Sequence, residues 1–418
     1  MTDTADPVDV LVIGGGPAGA AAGWWLASQG HDVAIVERRS SPRDKPCGGA
    51  LAPRAVRQLT DMGLADVLAG AHRTDGLRLT GLDREIVVPW PDHPTLPAHG
   101  CVVRRRDLDA RVLDAASGAG ASILEGHDAV APIVERGFVR GALVAPPGSV
   151  RAIERRARFV VVADGANSRF GRALGTFRTR NWPYATAIRS YWESPRHSEA
   201  WLEAGLDLKD RAGNRVAGFG WVFPLGDGTV NVGVGLLSTY PDFKSVNMPH
   251  LLEAFAESVA DRWSLDPARP LQPPVSGRVP MGGSVEPKAG PTYLVVGDAA
   301  GMANPYNGDG IAAAYETGRL AAGVLHEAMD EEDGAALRRY PVLLEKEYGQ
   351  YFRVARLFDR LVGRPAVLHE LTRTALHSRT LAEWTVRVMA NALRPDERGM
   401  AEAAYRAIAA ITRMVPDG

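Results

Sequence analysis

Blocks of apolar residues near the start of the chain predict a strand, a helix and a second strand. Residues 10–13 (Val-Leu-Val-Ile) form a short apolar run typical of a buried parallel strand. A glycine-rich turn follows, and the apolar stretch after it is long enough for a helix. A second apolar run, at residues 33–36, ends on Glu37. The order strand, glycine turn, helix, strand and carboxylate is typical of a βαβ unit that binds a dinucleotide.

The glycine turn has the spacing Gly-x-Gly-x-x-Gly. The first glycine permits a tight turn, the second lets a pyrophosphate approach the backbone, and the third lets the helix pack closely on the strand. The free N–H groups at the helix start hold phosphate, and Glu37 accepts hydrogen bonds from an adenosine ribose. The residues that we assign to this nucleotide site are Gly14, Gly16, Pro17, Ala18, Gly19, Glu37 and Arg38.

Three later motifs narrow the predicted nucleotide to FAD. A buried strand at 159–163 runs into Asp164-Gly165, and a strand at 293–296 ends in Gly297-Asp298. Asp298 suits a ribityl hydroxyl, and Arg105, at the head of a helical stretch that reaches Ala116, can reach back to the cofactor. Each motif alone has an ordinary structural interpretation, but their order after the glycine turn favours a flavin site.

The loop after Asp298 is the last part of the predicted flavin site. Backbone N–H groups at Gly308, Asp309, Gly310 and Ile311 are expected to face the pyrimidine end of the flavin, where the reduced ring carries negative charge. Pro305 is a candidate wall of this pocket. The alternative is ordinary turn chemistry ahead of a helix over residues 311–326.

Several segments carry a resemblance to a known family. Residues 42–51 (Pro-Arg-Asp-Lys-Pro-Cys-Gly-Gly-Ala-Leu), 219–224 (Phe-Gly-Trp-Val-Phe-Pro) and 233–235 (Gly-Val-Gly) resemble the signatures of the geranylgeranyl reductase family, within the p-hydroxybenzoate hydroxylase-like superfamily. Residues 44–48, 280–283 and 387–391 are most similar to the branch that reduces menaquinone. Phe219 departs from the family pattern, which has tyrosine there.

This resemblance implies an α/β fold with three parts. A Rossmann-like FAD-binding domain comprises residues 1–75, 100–175 and 280–330. A mixed-sheet substrate domain comprises 76–99 and 176–279, with Trp182, Tyr184, Tyr191 and Trp192 on or near the pocket side. Residues 331–418 are expected to be helical.

The implied activity is saturation of an isoprenoid double bond, with hydride from flavin N5 added to one carbon and a proton to the other. Trp221 and Phe223 offer a flat apolar surface for the isoprenoid chain, although two aromatic residues in a strand are also ordinary core residues. Cys47, followed by Gly48 and Gly49, either contacts the reaction centre or is a small buried apolar residue.

The implied cofactor set is FAD with NAD(P)H or ferredoxin as external electron donor. The alternatives are an FAD-dependent monooxygenase acting on a prenylated or terpenoid substrate, and a flavin-binding protein without turnover.

Composition excludes several other classes of protein. The chain has 418 residues and a net charge of −1, which argues against general nucleic-acid binding. Cys47 and Cys101 are the only cysteines, so neither a disulfide framework nor a cysteine-rich metal site is expected. The sequence also shows no evident His-Asp pair or metal cluster that would offer a different chemistry. An acidic, polar N-terminus and the lack of an apolar run of about 18 residues predict a cytoplasmic protein.

One stretch is strongly basic. Residues 352–394 carry eight arginines against three acidic residues, a net charge of +5 with neutral histidines, and leucines and Trp384 are interleaved with them. Such amphipathic helices either lie on an anionic bilayer or bury their apolar side against the protein, and the second case is the commoner. The implied partners are an isoprenoid lipid and, through this stretch, the inner face of the cell membrane. The oligomeric state is unknown from the sequence.

Overall fold

A computed structural model describes residues 6–149, 151–393 and 399–412 of the chain. The N-terminal residues 1–5 and Arg394, on which two of the sequence-based interpretations partly rest, lie outside the described residues.

The strands are β1 Val8–Ile13, β2 Val33–Glu37, β3 Ala50–Leu51, β4 His72–Thr74, β5 Gly76–Gly81, β6 Arg84–Pro89, β7 Gly100–Val102, β8 Ser122–Glu125, β9 Asp128–Glu135, β10 Phe138–Ala145, β11 Ile153–Val162, β12 Phe177–Arg178, β13 Tyr184–Glu193, β14 Trp201–Gly205, β15 Gly218–Pro224, β16 Thr229–Leu237, β17 Val275–Pro280, β18 Val285–Glu286, β19 Ala289–Gly290 and β20 Tyr293–Val295. The α-helices are α1 Pro17–Ser28, α2 Pro53–Asp61, α3 Arg105–Gly118, α4 Arg169–Ala173, α5 Met248–Trp263, α6 Ile311–Asp330, α7 Arg339–Leu344, α8 Gln350–Val362, α9 Pro365–His377, α10 Arg379–Met389 and α11 Met400–Thr412.

A largely parallel sheet forms the first half of the core. Its order is β19-β20-β11-β1-β2-β8, and an antiparallel β9-β10 hairpin is attached to β11. The central strand β1 pairs in parallel with β2 on one side and β11 on the other, so Val12 lies opposite both Ile35 and Val161. These strands are apolar on both faces because helices cover them, as is usual for parallel sheets. The carboxyl ends of β1, β2, β11 and β20 therefore lie at one edge.

A second sheet of seven strands, in the order β17-β13-β16-β15-β14-β5-β6, is antiparallel except for the β14-β5 pair. Helix α5 covers one of its faces and buries Phe255 against Gly220. The opposite face is turned toward residues 42–49 of the first part of the chain, where Gly48 meets the ring of Phe223. The short strands β3, β7 and β4 form a separate antiparallel sheet of three strands.

Helices α1 and α6 pack closely beside the parallel sheet. Residues 18, 20, 21 and 22 of α1 are all buried alanines, and α6 presents Gly318 to them. A Cβ atom on Gly318 would lie 2.5 Å from the carbonyl oxygen of Ala18, so the two backbones approach as closely as glycine allows. Both helices begin at the edge where the strands end.

The last part of the described chain is helical. Helices α9 and α10 cover strands β5 and β6, and Leu376, Ala382 and Val386 pack there against Leu79 and Val88. None of the helices in the described ranges combines the length and the apolar character that crossing a bilayer requires.

The expected fold class is confirmed, with a parallel-stranded sheet, a mixed sheet and a helical C-terminal region. The division into domains at the predicted residue numbers stays a prediction.

Candidate cofactor and substrate site

The predicted glycine turn lies where three parallel strands end. The N–H of Gly14 donates to Val36 (2.8 Å), and the N–H of Ala163 donates to Ile13 (2.8 Å). Gly14 has a φ of +105°, and a Cβ atom there would lie 2.4 Å from the carbonyl oxygen of Ala163. Only glycine fits this position. The turn is therefore held against the ends of β2 and β11, and α1 starts from it.

Gly15 and Gly16, the next two residues of the turn, face different surroundings. A Cβ atom on Gly16 would meet no atom within 4 Å, so open space lies beside the start of α1. The Glu37 carboxylate accepts hydrogen bonds from the N–H groups of Gly15 (2.8 Å) and Arg39 (2.9 Å). Arg43 lies 3.2 Å from Glu37 and donates to the carbonyl of Gly15 (2.8 Å). Glu37 is thus fixed at the turn, while the neighbouring Arg38 is exposed.

Several charged groups near this turn carry polar atoms for which the described residues provide no hydrogen-bond partner. The Asp298 carboxylate accepts no hydrogen bond from the described residues, and burial raises its pKa. Burial also lowers the pKa of the Lys45 ammonium, with a further contribution from Arg105. One oxygen of Asp164 and one guanidinium nitrogen of Arg43 are buried and have no partner in the described chain. Leaving such groups unsatisfied is costly, so they call for a polar, charged ligand.

These groups fit FAD. The cationic Lys45 and Arg43 and the start of α1 suit a pyrophosphate, and Asp298 suits a ribityl hydroxyl. Gly310, at the start of α6, lies beside Asp298, since a Cβ atom there would be 3.2 Å from the carboxylate. The edge therefore offers two helix N-termini and both signs of charge to one elongated ligand.

Arg105 lies in the same region but already has a partner. Its guanidinium forms a two-pronged ion pair with Asp109 at 2.8 and 2.9 Å. Burial alone would lower the pKa of Arg105. The Asp109 carboxylate outweighs this effect and, with a smaller contribution from Cys47, holds the pKa above its usual range. The ion pair with Asp109 holds the Arg105 guanidinium in place. Its contact with the cofactor stays a prediction.

The loop before α6 differs from the expectation. Three of the four N–H groups predicted to face an anion are used within the loop: Gly308 donates to the carbonyl of Asn304, Asp309 to the side chain of Asn307, and Ile311 to the side chain of Asp309. The expectation that all four N–H groups face an anion is therefore wrong for Gly308, Asp309 and Ile311, because a carbonyl and two side chains of the loop already accept their hydrogen bonds. Gly310 keeps an N–H for which the described residues provide no acceptor.

Burial raises the pKa of the Asp309 carboxyl to about 6, and the N–H groups of Ile311 and Ala312 act in the opposite direction. Asp309 therefore titrates close to neutral pH at the start of α6. When ionised, Asp309 repels an anion bound there, because both negative charges lie at the same helix terminus.

Three aromatic residues of β15 face residues 42–49. Phe219, Trp221 and Phe223 alternate along the strand, and the rings of Trp221 and Phe223 stack at 6.0 Å between centroids. A Cβ atom on Gly48 would lie 2.5 Å from the Phe223 ring and 3.1 Å from the Trp221 indole nitrogen. Gly233 lies under the Trp221 ring in the same way. The aromatic strand and the Cys47-Gly48 segment are therefore in direct contact.

A hydrogen-bond chain fixes this contact. The Trp221 indole N–H donates to the Asn231 side chain (2.9 Å), and the Asn231 amide donates to the carbonyl of Cys47 (3.2 Å). The Cys47 Sγ accepts a hydrogen bond from the N–H of Gly49 (3.4 Å). Cys101, in contrast, is buried in β7, and burial raises its pKa to about 12. The two cysteines thus have different environments.

The four aromatic residues predicted on the pocket side do not share one face. Tyr191 lies on the face toward residues 42–49, between the guanidinium groups of Arg189 and Arg104. Trp192 is in the apolar core under α5, and Tyr184 contacts Phe243. The prediction for these two is wrong because adjacent residues of a strand point to opposite faces. Trp182 packs on Arg356, whose guanidinium carbon lies 3.9 Å from its ring centroid.

Two other sequence segments meet at the same edge. Gly282 pairs through its backbone with Ala303 (3.0 Å), just before the loop that contains Pro305. The carbonyl of Met389 accepts hydrogen bonds from Asn304 (2.8 Å) and Asn307 (3.1 Å). Segments 280–283 and 387–391 therefore both support the loop that leads into α6.

Sequence reasoning did not single out three groups of this site. Lys45 and Arg43 lie in residues 42–49, and the signal for them is two cations in a short stretch rich in proline and glycine. Asn231 is a polar residue inside an otherwise apolar strand, which signals a buried hydrogen bond.

Comparison with known proteins agrees with the cofactor assignment. Residues 7–198 match the model of an FAD binding domain. The chain is 38% identical over 412 residues to a menaquinone reductase of Mycobacterium tuberculosis, covering 98% of this chain and 97% of that one. It is 31% identical to a digeranylgeranylglycerophospholipid reductase of Methanopyrus kandleri, covering 83% and 84%.

A solved structure shows the same fold. The geranylgeranyl bacteriochlorophyll reductase-like protein of Thermoplasma acidophilum superposes with a TM-score of 0.79 at 23% identity, covering 96% of this chain and 99% of that one.

Gly16→Val should remove FAD without unfolding the protein. The new side chain enters space that no protein atom occupies, where the pyrophosphate is expected to pass. Gly118→Val, at the exposed end of α3, also has no atom within 4 Å and should keep its flavin. The flavin-to-protein absorbance ratio and the circular dichroism spectrum of both variants test this. A folded Gly16→Val protein with full flavin content contradicts the site.

Asp309 should make stability depend on pH near neutrality. Because its pKa rises from 3.8 in the unfolded chain to about 6, its stabilising contribution is present below pH 3.8 and is lost as the pH rises through 6. The Asp309→Asn variant keeps an acceptor for Ile311 and does not titrate. Between pH 5 and 8 the wild type should lose about 1 kcal/mol of unfolding free energy relative to this variant. Urea unfolding measures the difference, and a difference that is constant with pH rejects the assignment.

Proposed function

This chain belongs to the geranylgeranyl reductase family of FAD-dependent oxidoreductases, and we propose that it saturates a carbon–carbon double bond in the isoprenoid chain of a lipid such as a menaquinone. The observation that carries the proposal is the contact between the aromatic strand β15 and the Cys47-Gly48 segment at the cofactor edge. An apolar aromatic surface beside a flavin site suits a polyprenyl chain, which offers no polar group for recognition along its length.

When bound, FAD supplies the hydride that reduces the double bond. Trp221, Phe223 and Phe219 hold the isoprenoid chain against this position and exclude water from it, since their rings form one apolar face. Positioning matters here because an isolated alkene is not activated toward hydride. Phe219 lacks the hydroxyl of the family's tyrosine, so this face is wholly apolar at that end.

The saturated product also needs a proton on its second carbon. Cys47 is the group we assign to the reaction centre for this purpose, as a proton donor or as a modulator of the flavin. Its carbonyl is held by Asn231 and its Sγ by the N–H of Gly49, so the side chain has a defined position next to the aromatic face.

The electrons come from outside the chain. We propose NAD(P)H or ferredoxin as the donor, because the sequence carries one nucleotide fingerprint and the flavin site uses it.

Anaerobic turnover tests the proposed activity against its alternatives. Chemically reduced enzyme incubated with menaquinone without oxygen should yield a product heavier by two hydrogen atoms, measured by mass spectrometry. A product that forms only with oxygen and is heavier by one oxygen atom would instead identify a monooxygenase. Absence of product from menaquinone and from geranylgeranyl lipids alike would favour a flavin-binding protein without turnover.

Trp221→Ala should impair reduction of isoprenoid substrates while the protein keeps FAD. The matched control is Trp192→Ala, which lies in the same sheet on the face covered by α5. Both changes remove a buried indole and should cost about 3 to 5 kcal/mol of stability. Only Trp221→Ala should also lower kcat/KM, by at least tenfold, in steady-state assays at a temperature where both variants are folded. Equal activity losses in the two variants would indicate a purely structural role for Trp221.

The lipid substrate must be taken from a bilayer, and the basic stretch 352–394 is our candidate docking surface. Leu361, Leu371 and Leu381 are exposed there on α8 to α10, and Arg364 is exposed between α8 and α9. Arg356 does not belong to this surface, because it is buried against Trp182 and donates to the carbonyl of Gly282 (2.9 Å). Several other arginines pair with acidic neighbours, for example Arg373 with Glu370.

Vesicle flotation tests this surface. The protein should bind vesicles that contain anionic lipids at low salt, and binding should weaken as salt rises, because each arginine near the surface contributes roughly 1 kcal/mol. The double variant Arg360→Glu/Arg364→Glu should lose binding and keep its flavin, whereas Arg106→Glu, on α3, should bind normally. If the wild type ignores anionic vesicles at low salt, the lipid reaches the site by another route.

A further inference from the structure

Two histidines and an aspartate meet at the ends of α1 and α6 that lie away from the cofactor edge. The Nε2 of His31 lies 2.9 Å from the Nδ1 of His326, and the Nε2 of His326 lies 3.5 Å from the Asp330 carboxylate. One ligand atom from each of the three side chains lies within 4.8 Å of the other two. The fold brings His31 and His326 together although they are 295 positions apart in the sequence.

The backbone holds these side chains in place. His326 and Asp330 are four residues apart on α6 and so lie on one face of the helix. His31 follows the last turn of α1, and its N–H donates to the carbonyl of Leu26 (3.2 Å). Both helices end here, and the partial negative charge of a helix C-terminus favours a cation.

We propose that His31, His326 and Asp330 form a binding site for one divalent transition-metal ion of the zinc class. Imidazole nitrogens with a carboxylate oxygen are a usual ligand set for Zn²⁺, and a water molecule completes a tetrahedron. Metal–nitrogen bonds of about 2.1 Å in a tetrahedron separate two ligand atoms by about 3.4 Å. The two ring nitrogens need to move apart by only about 0.5 Å, which a small rotation of partly exposed rings provides.

Acidic side chains beside the two rings favour a bound cation. The Asp330 carboxylate lies 3.5 Å from the Nε2 of His326. Asp9 also faces His31 and adds negative charge, although Arg158 lies 3.6 Å from Asp9 and partly offsets it. Asp330 is mostly exposed, so an ion can enter from solvent.

The site is separate from the reductase chemistry. Fifteen residues of α6 separate His326 from Ile311, a distance of roughly 22 Å at the rise of an α-helix. A metal ion here would join the end of α1 to α6 and stabilise the packing of the two helices that form the cofactor edge. This inference therefore does not rest on the proposed activity.

Zinc binding by the untagged holoenzyme tests the proposal. Equilibrium dialysis followed by metal analysis should give one Zn²⁺ per chain, and calorimetric titration should give the same stoichiometry. Zn²⁺ should also raise the thermal midpoint. His326→Gln should lose this ion and the thermal shift, and Asp330→Asn should weaken binding by roughly tenfold or more.

His250→Gln is the matched control. His250 is exposed on α5, which covers the seven-stranded sheet, so this substitution should leave Zn²⁺ binding unchanged. The flavin spectrum reports folding of every variant independently of metal. The proposal is overturned if the wild type binds no Zn²⁺, or if folded His326→Gln and Asp330→Asn bind it as tightly as the wild type does.

Discussion

The close approach of α1 and α6 is the constraint on which the cofactor edge depends. Alanines on α1 and Gly318 on α6 let the two backbones meet near Ala18, and any larger side chain at position 318 would force the helices apart. Because both helices start at the carboxyl ends of the parallel strands, their N-termini point at one ligand. The same packing brings the opposite ends of the helices together, and so sets His31 beside His326.

Residues 42–49 connect this edge to the second sheet. On one side, Lys45 and Arg43 contribute positive charge to the flavin site. On the other side, Asp44 forms an ion pair with the buried Arg189 of β13 (2.5 Å), and Gly48 packs on the aromatic strand. Position 48 needs glycine for a physical reason, because a Cβ atom there would lie 2.5 Å from the Phe223 ring.

Much of the site could be predicted from the sequence because local backbone requirements leave a local signal. The glycine turn, Glu37, and the Gly297-Asp298 strand end all follow from the geometry of a strand that feeds a helix, and the structure places them at one edge. Other inferences failed where side chains compete with the backbone or where a face must be chosen. The loop at 304–310 uses its own asparagine and aspartate side chains to satisfy its N–H groups, and Trp192 lies on the opposite face of β13 from Tyr191.

The sequence by itself determined the class of fold, the FAD cofactor and the family, because these depend on short motifs and on apolar runs whose spacing is local. Only the tertiary structure decided which charged groups lack partners, which arginines of the basic stretch are buried, and which distant residues meet. Arg356 reads as one more surface cation in the sequence, yet it packs on Trp182 inside the protein. His31 and His326 carry no shared pattern in the sequence, since their contact arises from helix packing over 295 residues of intervening chain.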